Sequence, residues 1–308
     1  MGKQVGFDTR RVSKEVNGNI VDDSKGMILQ MGKLGKLYQP WIHIPYKKNS
    51  IFMFSSGKSL PEKTIEVLSH VPWYAAPLLW GPVIMYQMSW AQSLLSNSFL
   101  IMMALYAFAA IFLWSTFEYC VHRWLFHMLT DSPFMNMFHF MIHGVHHLTP
   151  SDPDRGIFPP APAILGMFIP VHTFGYIFGN YIVKPLLGMS HETELGIRLA
   201  TISGFMTGYV TYECIHWYYH NGAKPPKGFL YNLPFGIGDF FIHLRKCHMQ
   251  HHFVKGAEVY NFALTPFVKL FYDDLIFKTG IDPSVTKFPD VYTYDEDEEN
   301  DIFKVTAN

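Results

Sequence analysis

The chemistry this sequence could do rests on histidine. It holds 16 histidines, and ten fall into short runs: His122-RWLF-His127, His143-GV-His146-His147, His216-WYY-His220 and His248-MQ-His251-His252. His139 lies four residues before His143, and His243 five before His248. Random placement predicts roughly 0.04 copies of H-x-x-H-H in such a chain, and two occur. Residues three and four apart share one helix face. The imidazoles of 143, 146 and 147 are therefore expected to converge, as are those of 248, 251 and 252, while 216 and 220 lie one turn apart. His122 and His127 are five apart and fall off one line on a regular helix, so either the helix ends or loosens between them or they serve different metals. A zinc site takes four ligands. Ten imidazoles exceed the needs of one ion and fit two metals with open positions for a small molecule. Imidazole suits iron, zinc, copper and nickel alike, so ligand type leaves the metal open.

Two carboxylates stand beside these runs. Glu118 precedes His122 by four residues and Glu213 precedes His216 by three. Carboxylates in such places commonly accept the free N–H of a ligating histidine and fix its orientation. Tyr212, next to Glu213, is grouped with them as a candidate supporting residue. His43, His70 and His191 read as ordinary structural histidines. His172 lies within an apolar stretch, where an ionisable side chain is either functional or a neutral packing residue.

The elements that position these residues read as membrane helices. Of 308 residues, 49% are hydrophobic and only 16% charged, well below the roughly 25% charge of a soluble domain. Four apolar stretches, 73–90, 99–119, 161–183 and 195–217, each have about the length needed to cross a hydrocarbon core as a helix. Gly204 and Gly208 form a small-xxx-small pair that predicts close packing of the fourth helix on a neighbour. The short loops 91–98 and 184–194 are poor in Lys and Arg, which puts both termini and all histidine runs on the cytosolic side. The fold expected is an all-α integral membrane protein with four transmembrane helices and a cytosolic helical cap that holds a di-metal site. Residues 1–26 read as a flexible tail, 27–72 as a segment along the cytosolic membrane surface, 73–281 as the membrane-embedded domain, and 282–308, with its DEDEEND run, as an acidic tail. No apolar leader stands at the start, so insertion is expected to use an internal span. The odd set Cys120, Cys214 and Cys247 has no C-x-x-C pair and reads as reduced. A net charge of −1 gives no reason to expect nucleic acid as a partner.

HRWLFH, HGVHH, HWYYH and HMQHH resemble the histidine boxes of the fatty acid hydroxylase superfamily, which includes sterol desaturases and carotenoid hydroxylases. Leu34-GKLYQPWIH and His146-HLTPSDPDRGIFPP are similar to stretches of its fatty acid 2-hydroxylase branch, and the resemblance runs over about 27–280. It implies two irons held by His122, His127, His143, His146, His147, His216, His220, His248, His251 and His252, with zinc as a possible substitute. It also implies O2-dependent hydroxylation at C2 of fatty acyl or ceramide chains in the endoplasmic reticulum membrane. Glu213 stands where that family usually has Asp. No HPGG haem motif is present, so electrons are expected from a separate cytochrome b5 and its NAD(P)H-dependent reductase. That donor would dock on a basic face drawn from Lys47, Lys48, Arg123, Arg155, Lys224, Lys227, Arg245 and Lys246. The alternatives are a sterol or carotenoid oxidase, told apart by its product, and, from other classes, a membrane zinc hydrolase, a zinc transporter or a non-catalytic metal-stabilised scaffold. A transporter needs polar ligands at mid-membrane, whereas these histidines cluster past the ends of the apolar stretches.

Overall fold

A computed structural model describes residues 20–44, 51–54 and 69–252, together with Val16, Ser59, Lys63, Glu66 and Val67. Among them there is no strand; every regular element is helical. Apart from Val16, the expected tail before residue 20 lies outside the described residues, as does the acidic stretch 282–308.

Two short helices, α1 (Ile28–Met31) and α2 (Tyr38–Ile42), come first. The helix α3 (Ala75–Leu94) leads into α4 (Phe99–Phe126). Helix α5 spans 133–148 and opens on Pro133, a residue whose fixed φ suits a first helical position. Then come α6 (Pro160–Leu187), α7 (His191–Asn221) and α8 (Ile237–Gln250). Gly188 closes α6 in the left-handed conformation, φ 61°, which glycine adopts without steric cost. Ser190 then caps α7 by accepting the Thr193 N–H at 3.1 Å, and Glu192 and Glu194 complement the dipole in the first turn.

Helix α7, with 31 residues and about 46 Å long at 1.5 Å per residue, is the central pillar. It packs along α3 and α4 and meets α6. Trp80, Trp114, Phe168, Phe205, Met206 and Tyr209 fill the space between these helices, with the Trp114 and Phe205 rings edge to face at 5.2 Å. The expected close approach occurs at the Gly204/Gly208 pair. A Cβ on Gly204 would collide with the Tyr106 carbonyl, and one on Gly208 would lie 2.5 Å from Trp114 Cβ. A polar chain crosses the same bundle, where Ser203 donates to Gln87 Oε1 at 3.1 Å and the Gln87 amide lies 3.5 Å from His172 Nε2.

Helices α4 and α6, 28 residues each, are long and apolar enough to cross a membrane. Much of their apolar surface is uncovered, with Leu100 80% and Leu186 78% exposed, a pattern that marks contact with lipid or a partner. Helices α3 and α7 have the length, but Gln87 and Gln92 in α3, and His191, Glu192, Glu194 and Arg198 in α7, make them less apolar. All four helices run past the stretches read from hydropathy, and in α4 and α7 the extension carries a histidine run. His122 is still on α4, and His216 and His220 end α7.

The N-terminal segment forms a second core. Met31, Tyr38, Trp41 and Ile42 pack against Phe140, Val145 and Leu148 of α5. The LGKLYQPWIH stretch is thus the backing of the helix that carries HGVHH.

Candidate metal centre

Four helix ends meet at one point. The end of α4 brings His122 and His127, α5 brings His143, His146 and His147, the last turn of α7 brings His216 and His220, and the end of α8 brings His248, His251 and His252. All ten are buried, and they sort into two groups of five whose ligand nitrogens lie within 4.8 Å of one another. The first group is His122, His127, His143, His147 and His251; the second is His146, His216, His220, His248 and His252. The groups adjoin, with the His147 ring stacked on that of His252 at 4.3 Å.

Helix geometry explains this sorting, and it corrects the expectation that all three imidazoles of each H-x-x-H-H triple converge. At about 100° per residue, positions four apart differ by roughly 40°, whereas adjacent positions differ by roughly 100°. His143 and His147 therefore stay together, while His146 turns away to the other group. His248 and His252 likewise stay together and send His251 across. The pair five apart is reconciled by a π turn over Val121–Phe126. The His127 N–H reaches the His122 carbonyl at 3.1 Å, an i→i+5 bond that brings both rings to one side. Their centroids lie 4.6 Å apart. The loosened helix is thus the alternative that holds. Such π turns are rare and concentrate at functional sites; another, Phe140–Gly144, carries His143.

The donor atoms fit metal. The Nε2 atoms of His127 and His143 are 3.2 Å apart, those of His143 and His147 3.0 Å, and those of His147 and His251 3.1 Å. In the second group, His146 and His252 Nε2 are 3.1 Å apart, and His220 and His248 Nε2 2.6 Å. Two nitrogens each about 2.1 Å from one ion at a right angle would stand about 3.0 Å apart. That spacing is closer to five or six coordination than to a tetrahedron. Burial holds His143, His146, His147, His248 and His252 well below the usual histidine range, with the charges of neighbouring imidazoles adding to it. They are therefore neutral, the form that binds metal.

The support behind the ligands differs between the groups. His216 Nδ1–H donates to the Gly156 carbonyl at 3.0 Å, which leaves Nε2 for metal. Behind the first group, the His43 ring packs at 5.0 Å on His147 and 5.9 Å on His127, and its Nδ1 meets the Gln39 carbonyl at 2.9 Å. Tyr38 Oη lies 2.6 Å from His139 Nδ1. Burial lowers His139 to about 4, so its ring is neutral. His43 was legible as a histidine but not as a neighbour of this site, because α2 reaches it only through tertiary packing.

A largely apolar cavity of about 600 Å³ ends on the centre, within the usual range for ligand sites. Phe126, Met141, Ile142, Phe158 and Pro162 are among its walls, and it reaches His143 of one group and His146 and His216 of the other. Tyr212 and Glu213 stand in its wall. The Tyr212 ring lies parallel to that of His216. Glu213 Oε2 accepts the Phe158 N–H at 3.0 Å. The group that orients His216 is thus the Gly156 carbonyl, because the Glu213 carboxylate reaches the 155–160 loop instead.

Of the basic residues read as a docking face, Lys47 and Lys48 lie outside the described residues. Arg155 is buried in ion pairs with Glu66 and Asp152 and is removed from that set, whereas Lys227 and Lys246 are exposed. Cys120, Cys214 and Cys247 form no disulfide, and Cys247 is buried.

The described residues are all helical, and at the foot of an apolar cavity they gather two adjoining groups of five histidines that could each hold a metal ion. The sequence pattern of the fatty acid hydroxylase family matches residues 107–279, and the chain belongs to that family. It is 32% identical to mouse fatty acid 2-hydroxylase over 254 residues, 76% of this chain and 59% of the mouse protein. It is 31% identical to a dihydroceramide fatty acyl 2-hydroxylase of Arabidopsis thaliana, over 82% of this chain and 92% of the plant protein. The chain therefore spans about 59% of the length of the mouse relative. The solved hydroxylase domain of scs7p shares its fold, with a TM-score of 0.66 at 24% identity over 90% of this chain and 94% of that one.

Proposed function

We propose that the chain hydroxylates C2 of fatty acyl chains in sphingolipid synthesis, using O2 at two irons held by the ten histidines. The observation that carries this reading is the apolar cavity that ends on histidines of both groups at once. An acyl chain laid there meets two metal positions with one carbon. When bound, the irons supply the power to reduce O2 and to oxidise a C–H bond. One oxygen atom goes to C2, and the other leaves as water with two electrons and two protons from outside.

The protein's own part is positioning. Phe126, Met141, Ile142 and Phe158 bind the chain and exclude water. The imidazoles are kept neutral by burial and presented through Nε2, with the Gly156 carbonyl fixing the His216 ring. Tyr212 and Glu213 form the polar part of this wall, with Glu118 beside them. Electrons come from a separate cytochrome b5 and its reductase, docked near Lys227 and Lys246. The setting is the endoplasmic reticulum membrane, with α3, α4, α6 and α7 as four spans and with both termini and the metal centre cytosolic.

The test is expression in cells that lack 2-hydroxy sphingolipids, with hydroxylated ceramides measured by mass spectrometry. Their appearance is expected; a wild-type chain that folds, binds two metals and yields none overturns the reading.

A further inference from the structure

The loop between α7 and α8 holds an aromatic side chain out into open space. Phe235 is 98% exposed. Its φ of 60° lies in the left-handed region, which a bulky residue rarely adopts. With Gly236, φ 78°, it forms the tip of a turn that the Ile237 N–H closes on the Pro234 carbonyl at 3.2 Å. Such a backbone persists only where its surroundings enforce it, and here they do. The Gly238 N–H reaches the Leu233 carbonyl at 3.2 Å, and a Cβ on Gly238 would collide with the Tyr231 carbonyl. The Asn232 side-chain amide donates to the Pro226 and Gly228 carbonyls at 2.9 and 2.7 Å. The loop is therefore braced, and it presents Phe235 rather than merely failing to bury it. Phe229 and Ile237 are exposed as well.

Where the loop is fastened says what covers its tip. It packs on Tyr218, whose ring lies 5.4 Å from that of Phe229 and 5.8 Å from that of Tyr231. Tyr218 follows Trp217, the last residue of the fourth apolar stretch, and the Trp217 ring lies 5.6 Å from that of Trp73, the first residue of the first stretch. Two tryptophans that meet at the ends of two apolar stretches mark the interfacial level of a bilayer. The loop is tied one residue beyond that level. Its charge has the matching sign. Residues 222–236 contain Lys224 and Lys227 and no acidic residue, and Lys227 is exposed. An aromatic tip with lysine behind it suits a leaflet that is apolar within and carries anionic lipid at its surface.

We propose that the turn 234–237 is a membrane wedge: Phe235 enters the acyl region of the cytosolic leaflet, and Lys227 meets the lipid phosphates. The proposal rests on the reading of α7 as a span with the metal centre on the cytosolic side. The wedge repays the exposed ring and its left-handed backbone with lipid contact. It also fixes the start of α8, which begins at Ile237 and brings His248, His251 and His252 to the centre at its other end. The turn thereby sets the height of that helix over the leaflet from which an acyl chain arrives.

The experiment uses the full chain in vesicles of phosphatidylcholine, with and without phosphatidylserine. Phe235→Cys carries a small polarity-sensitive fluorophore, and the wild-type chain treated in the same way supplies the background from its own cysteines. A spin label on the lipid acyl chain should quench the fluorophore about twofold, while iodide in the water should not reach it. Phosphatidylserine should strengthen the lipid quenching, and Lys227→Glu should remove that gain. Ile237→Cys carries the test if Phe235→Cys does not fold. Thr211→Cys, at an exposed position of α7 within the fourth apolar stretch, reports the span itself. Lipid quenching at 211 with iodide reaching the label at 235 would overturn the wedge and leave the span standing. A label at 235 shielded from both quenchers would mean that a protein or a second copy covers the tip, and would overturn the wedge too. Equal lipid quenching with and without phosphatidylserine would overturn the part given to Lys227. Lipid quenching at 235 but none at 211 would bring down the reading of α7 as a span and leave the lipid contact of the turn standing.

Discussion

The two histidine groups have the same number of ligands and are built differently. The second takes its defining pair, His216 and His220, from the last turn of an unbroken α-helix. The first takes its pair, His122 and His127, from a helix that must open into a π turn before both rings face one way. The second is supported by main chain, through the Gly156 carbonyl. The first is backed by side chains of the N-terminal segment, His43 on its rings and Tyr38 on His139. Each also borrows one histidine from the other's box, His146 and His251 crossing over. Two metal positions can therefore differ in what holds them, yet neither can be emptied without touching the helix that serves the other.

The crossing residues offer the hardest test. His146→Ala and His251→Ala should each abolish hydroxylation, because C2 must meet both positions. Neither should remove the helices from the membrane, since apolar residues drive insertion. Each should lower metal content from about two ions per chain, measured by plasma mass spectrometry on the purified protein, chiefly at one position. A fully active His146→Ala protein would break the crossover.

Acid should act on both groups. Bound imidazoles must be neutral, and metal binding excludes protons from them, so affinity is expected to fall as pH drops below the ordinary histidine value near 6.5. The fold behind the first group responds with the same sign. His139 is lowered to about 4 in the folded protein, so its contribution is complete above about 6.5 and is lost as pH falls toward 4, on the order of 3 kcal/mol in all. Metal release and thermal unfolding followed from pH 7 to pH 4 check this; tighter metal binding at pH 5 than at pH 7 would contradict the neutral cage.

Smaller effects are expected from the carboxylates. Glu118→Gln and Glu213→Gln should reduce activity or metal affinity about 10- to 100-fold, as changes to groups behind metal ligands do. Because Glu213 holds the Phe158 N–H rather than a ligand, its effect should be spread through the cavity wall and show in substrate KM as well as in metal content. A Glu213→Gln enzyme altered only in metal affinity would restore the simpler picture in which it grips a histidine.

Much of this centre can be read from spacing, and the unread part has a definite cause. The gathering of the ten histidines, the close glycine contact of α7 on α4, and a cluster too large for a single ion follow from residue type and helical period. The division of each H-x-x-H-H triple also follows from 100° per residue, but only once two helix ends are known to face each other. Which faces meet is tertiary information. For the same reason the LGKLYQPWIH stretch does not itself tell that His43 and Tyr38 back boxes about a hundred residues away, nor does SDPDRGIFPP tell that Arg155 is buried. The apolar stretches locate helices α3, α4, α6 and α7 but end early, because hydropathy registers the apolar part of a helix while the helix continues as long as its hydrogen bonds do.

The mildest prediction separates the groups most cleanly. Tyr38→Phe removes the 2.6 Å bond to His139 and should cost about 1–3 kcal/mol, since the buried partner is left unsatisfied. His139 lies on α5 one turn before His143, so the strain reaches the first group before the second. Chelator competition should then turn a nearly uniform loss of two metals into two phases, with one ion leaving earlier and the other near the wild-type rate. His43→Ala should do the same by removing the ring packed on His127 and His147. Substitutions at Trp217, whose indole N–H holds the Pro153 carbonyl at 2.9 Å ahead of the loop that carries Gly156, should instead hasten loss from the second position. If variants of both kinds release both ions together, the two supports are mechanically one, and the difference between side-chain and main-chain backing has no consequence for metal retention.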